Sequence, residues 1–115
     1  MKDMCVKFHL SDSAYMTALR LVAGAVCSAN DVDVDTLEDF KVCVTESCIL
    51  LKNCGFETVT VTFSGGDGVR CTVEGGGGTI KASENDFSLA LISALVEECE
   101  IERRGEIIER VSLKI

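Results

Sequence analysis

An α+β two-layer sandwich is what this chain predicts, with a mixed but mostly antiparallel sheet of about five strands and three helices on one face. Three observations lead there. Apolar and polar residues alternate with period two in paired segments around glycine turns, apolar residues recur at helical spacing in three other segments, and the helices fall in groups between the strands. Hairpins joined through grouped helices place those helices on one side of one sheet.

The elements follow in order. Over 4–10, Val6, Phe8 and Leu10 alternate with Lys7 and His9, a strand with one buried face that leaves His9 toward solvent or a sheet edge. Ser11 offers a helix cap, and Tyr15 or Met16, Leu19, Val22, Ala23, Val26 and Cys27 recur at helical spacing to about Ala29. After the acidic connector 30–35, Asp35 and Glu38 stand three apart like a capping box. Leu37, Phe40, Val44, Cys48 and Leu51 then carry a second helix to about Asn53, with Gly55 placed to end it. Val59, Val61 and Phe63 alternate with threonines, Gly65-Gly66-Asp67-Gly68 turns the chain, and Val69, Cys71 and Val73 return as a second strand. A run of glycines, Gly75 to Gly78, comes next. Ser83 or Asn85 can cap a third helix through Phe87, Leu91, Ile92, Leu95 and Val96, and a hairpin turning at Arg104-Gly105 closes the chain with Ile107, Val111, Leu113 and Ile115 on one face.

Composition narrows the function classes. A chain of 115 residues with 47% hydrophobic and 26% charged residues is one globular domain. The net charge of −8 repels phosphate backbones, and no basic cluster offsets it, so nucleic acid is not an expected partner. The longest apolar stretches, 19–29 and 87–96, fall short of the roughly 20 residues a membrane helix needs, and the start of the chain has no export-signal pattern. Seven cysteines, an odd number with no CxxC pair, predict reduced thiols and a cytoplasmic setting. Cys43, Cys48 and Cys54 turn to different helix faces, and with His9 the single histidine no metal set is expected.

Two places could carry chemistry. Glu46 lies mid-helix beside the stripe of Cys43, Leu50 and Cys54, where a carboxylate either faces a cleft or is simply solvated. The four consecutive glycines let backbone approach a ligand closely and offer N–H groups to an anion, although a loop without function has the same composition. Glu74 stands directly before them, where a carboxylate could accept a hydrogen bond from a purine amine.

Taken in order, 19–26, the acidic connector, 37–48, Asn53-Cys54-Gly55-Phe56, the hairpin and 91–101 resemble the anti-sigma-factor serine kinases of the GHKL ATPase superfamily over nearly the whole chain. The resemblance implies a Bergerat-like ATPase fold, ATP or ADP as ligand, and a sigma factor or an anti-sigma-factor antagonist as protein partner. It also implies a homodimer and a role in bacterial transcription regulation. By the same resemblance Glu46 is the kinase's general base, and the Mg²⁺-holding asparagine belongs four residues later, where Leu50 stands. Leucine has no oxygen to offer a hard cation, which leaves Asn53, farther along nearly the same face, as the replacement candidate.

Glu74, Gly76 and Gly78 match the motif whose acidic residue reads adenine, with glutamate in place of aspartate. Positions 86–89 match the phosphate-cradling motif but lack both glycines and put Asp86 where phosphate would lie, and only seven residues, 79–85, replace the lid over ATP. The expectation is a kinase-like regulatory domain that binds a protein and no longer depends on nucleotide. The alternative is an active Mg-ATP-dependent serine kinase that phosphorylates an antagonist. A third reading, a structural or homodimeric domain, requires an exposed apolar patch on the sheet or first helix. Arg20 matches an arginine of the family's first helix and could equally pair with a nearby carboxylate.

Overall fold

The computed structural model describes all 115 residues. Its elements run β1 (Met4–His9), α1 (Ser13–Ala29), α2 (Val34–Asn53), β2 (Thr58–Ser64), β3 (Arg70–Gly76), α3 (Asp86–Leu95), β4 (Glu98–Arg104) and β5 (Ile107–Lys114). Strand order is β1-β2-β3-β5-β4. All four pairings are antiparallel, so the sheet is not mixed. The reason is topological: a strand, a returning helix and a second strand bring β4 back parallel to β3, but β5 reverses and inserts between them.

The two-residue period sorts the side chains into two faces. Val6, Val61, Val73, Val111 and Ile101 stand side by side across the five strands, next to a second row of Met4, Phe63, Cys71, Leu113 and Cys99. That face meets the helices. Leu19, Ala23 and Cys27 of α1, Val44, Cys48 and Leu51 of α2 and Ile92 of α3 complete one core with it. The opposite face is a polar lawn of Thr60, Thr62, Thr72, Glu74, Arg110 and Ser112.

Helix ends are fixed one or two residues away from the sequence expectation. Asp12 rather than Ser11 caps α1, accepting from the Ala14 amide at 3.0 Å. Asp33 caps α2, accepting from the Thr36 amide and hydroxyl, each at 2.9 Å, so the Asp35–Glu38 pair lies inside the helix. At its far end Gly55, with φ +92°, closes a Schellman motif in which the Phe56 amide bonds Leu51 O and the Gly55 amide bonds Lys52 O. Asn85 stands at the α3 cap position but makes no capping bond, because its side chain turns inward to Cys54.

The hydrogen bonds from Thr36, the backbone one first, hold the Asp33 carboxyl below its ordinary value. A folded-state value lower than the unfolded one means stability that is present at neutral pH and lost as pH falls through the acid range. Asp33→Ala should therefore lower the melting temperature at pH 7, and the gap from the parent protein should close as both are melted at successively lower pH below about 4.

Candidate functional site

Glu46 projects from the middle of α2 and is half-buried. Its Oε2 accepts a hydrogen bond from Ser88 Oγ on α3 at 2.9 Å, which ties the two helices together. Toward α1 it lines a shallow groove of about 300 Å³ shared with Arg20, Glu38, Lys41, Val42 and Thr45. Those α2 residues share one face because they recur at three- and four-residue spacing. Arg20 reaches across from α1 and donates from Nε to Thr45 Oγ1 at 3.1 Å, and Thr45 in turn donates to Lys41 O at 2.9 Å. Lys41 pairs with Glu38 at 3.4 Å, while Arg20 enters none of the three ion pairs. Its partner is thus a hydroxyl, not the carboxylate that helical spacing suggested.

The other sequence candidates do not converge on Glu46. Asn53 is exposed at the last turn of α2, seven residues on and about 10 Å along the axis. Leu50, where the resemblance calls for an asparagine, is fully enclosed in the core. Glu74 points the other way altogether. Its neighbours Val73 and Cys71 are buried against the helices, so alternation puts Glu74 on the open face of the sheet, between Thr60 and Arg110.

The glycine run packs against the loop that follows α2. Gly76 O accepts from the Glu57 amide at 3.1 Å and from Thr58 Oγ1 at 3.2 Å. The Phe56 ring lies directly on Gly75: a Cβ there would stand 2.6 Å from both ring Cδ atoms. Gly78 abuts the Gly55 carbonyl and the Glu57 amide, and the Lys81 amide bonds Cys54 O at 2.8 Å. These glycines serve contact between two stretches of backbone.

The space between α2, α3 and the glycine run is filled by the chain itself. Phe56 is buried there against Gly75, Asn85 Nδ2 lies 3.5 Å from Cys54 Sγ, and Cys43 Sγ lies 4.0 Å from Ile92 O. Asp86 occupies the first turn of α3, where its negative charge complements the helix dipole and would oppose a phosphate. No protein-family model and no curated protein matches this chain. The fit to Mg-ATP therefore rests on the residues, and they do not provide it: no oxygen donor accompanies Glu46 at Leu50, and Glu74, to which the resemblance assigns adenine, lies on the open face of the sheet. No group of three or more His, Cys, Asp or Glu side chains is arranged so that it could hold a metal ion.

What the sequence reading missed is Ser88 as the partner of Glu46, and the groove with Arg20. Lys41, Thr45 and Glu46 share a face by spacing alone, so that half of the groove was legible. The contacts from α1 and α3 have no local signal.

Burial pushes the Cys48 thiol up to about 12 and Cys27 up to about 11; Cys43 rises to about 12 through burial first and then the nearby Asp39, Cys99 and Glu46. At pH 8 a thiol at about 12 is ionised in only about one molecule in ten thousand. Ellman's reagent at pH 8 should consequently react fast with exposed Cys5 alone, with Cys99 trailing, and reach all seven thiols only in guanidinium.

Proposed function

We propose that this chain is a regulatory protein-binding domain, built like an anti-sigma-factor kinase but working without nucleotide. One observation carries the reading: the chain's own side chains fill the space beneath the glycine run, while Val42, Ile49 and Phe87 stand exposed around Glu46 on the outside. A nucleotide would have to displace Phe56 and Leu50 from the core, whereas a protein surface needs only to cover what is already exposed. The partner implied by the resemblance is a sigma factor or an anti-sigma-factor antagonist. Glu46 and Ser88 then brace α2 against α3 beneath that surface.

Calorimetric titration with ATP and with ADP, each with and without Mg²⁺, tests the nucleotide half. We expect no heat and no change in melting temperature at millimolar nucleotide. Micromolar binding that needs Mg²⁺ would instead support the alternative, an active serine kinase. For the partner half, sigma factors and antagonists from the same genome are screened by biolayer interferometry. Binding should weaken by about tenfold or more in Phe87→Ser. An equal response in parent and variant would remove this surface from the proposal.

A further inference from the structure

The two edges of the sheet are treated differently. β4 carries Glu98, Glu100 and Glu102 on its outer face and has a register break between Glu102 and Arg103, features that discourage another strand from pairing. β1 has no such protection: it pairs with β2 over six residues without a register break, and no proline occurs in the chain.

The backbone of the β1 edge is free. The Leu10 amide donates to Glu57 O at 2.9 Å, continuing the β1–β2 register by one pair. In an antiparallel ladder alternate residues bond to the same neighbour, so the even-numbered residues of β1 serve β2, and the N–H and C=O groups of Cys5, Lys7 and His9 point outward unpaired. Beside them runs an apolar groove of about 390 Å³, between Val6 and Phe8 of β1 and Tyr15, Ala18, Leu19 and Val22 of α1. Lys7 and His9 also border it. Alternation turns their side chains to the opposite face, so main chain is what they offer the groove.

Charge sets this edge apart from the rest of an acidic molecule. In a chain of net charge −8, Lys7 is the only lysine, arginine or carboxylate on β1 and β2. Its cross-strand neighbour is Thr60, and it enters none of the three ion pairs.

We propose that this edge receives an extended segment of another protein, with acidic and apolar residues in alternation, as a sixth strand. The backbone of that segment takes the outward groups of Cys5, Lys7 and His9, and its side chains sort to two faces. The apolar ones enter the groove against Phe8 and Ala18, while the acidic ones lie on the outer face beside Lys7. A small ligand could fill the groove but would leave the row of backbone donors and acceptors unanswered. A second copy of β1 would answer the backbone but bring a lysine and no carboxylate. The surface shares no residue with the one around Glu46 and Phe87, so the inference stands whether or not that reading does.

Fluorescence anisotropy with a dye-labelled peptide of alternating glutamate and valine tests this, beside the same peptide with lysine for glutamate. At 0.15 M salt, where charges farther off than about 8 Å are screened, the acidic peptide should bind about fivefold or more tightly than the basic one. Lys7→Glu should reverse that preference. Lys7→Pro removes an N–H that β2 does not use, so it should weaken binding by about tenfold or more with β2 pairing intact. Ala18→Arg, at an exposed helical position, should weaken binding of the acidic peptide by obstructing the groove. Circular dichroism confirms that each variant is folded. In hydrogen exchange, the Lys7 and His9 amides should be fast in the free protein and slowed by the peptide, whereas those of Val6 and Phe8 are slow in both. No binding at about 1 mM peptide, parental affinity in folded Lys7→Pro, or a Lys7 amide already protected in the free protein by self-association would overturn the proposal.

Discussion

Leu50→Asn, the substitution that supplies the Mg²⁺-holding side chain called for by the resemblance, should cost about 4 kcal/mol of unfolding free energy and create no Mg-ATP site. Two terms add. Leu50 is wholly enclosed, so its loss leaves a cavity of the kind that costs about 2–5 kcal/mol when leucine is truncated. The amide that replaces it would be buried in the apolar core with few partners, a further penalty of about 1–3 kcal/mol that partial filling of the cavity offsets. In a chain of this size each kcal/mol moves the melting temperature by about 4 °C, so a fall of about 15 °C is expected. Urea denaturation beside Leu50→Ala, followed by titration with Mg-ATP, measures both parts. A variant of nearly parental stability that gains Mg-dependent nucleotide binding would mean that Leu50 borders a ligand cleft, and the pseudoenzyme reading would fall with it.

Gly75→Ala should destabilise the fold by about 3 kcal/mol, at the upper end of what overpacking a core position costs. The added methyl would sit 2.6 Å from two carbons of the Phe56 ring, and that ring is buried in the core just past the end of α2. A double-mutant cycle isolates the contact. In Phe56→Ala, which is itself destabilised, the further change at Gly75 should cost little, giving a coupling of about 1–3 kcal/mol between the two positions. Additive effects would show that the glycine answers to something other than the ring. The result separates two uses of a glycine run that look identical in sequence: close approach to a ligand and close approach to the chain's own side chains.

Glu46 and Glu74 illustrate how far local pattern reaches. Spacing placed Glu46 beside the stripe of Cys43, Leu50 and Cys54, and in the structure those three are buried while Glu46 stays half-buried at their margin. Spacing also made Glu74 look like a ligand contact at a strand end, yet β3 continues in register to Gly76, so Glu74 obeys the alternation set by Cys71 and Val73 and faces outward. The same misreading of an element's end placed the α2 cap at Asp35 instead of Asp33.

By itself the sequence determined the elements and their layering, because periods of two and 3.6 residues, together with glycine turns, are local properties that burial of one apolar face then enforces. It also determined the acidic, cysteine-rich character of the chain. Tertiary structure alone decided that β5 inserts between β3 and β4, that Ser88 meets Glu46, that Phe56 packs on Gly75, and that β1 is left as an open edge. Each of these depends on which residues distant in sequence become neighbours, and that follows from packing the whole core at once.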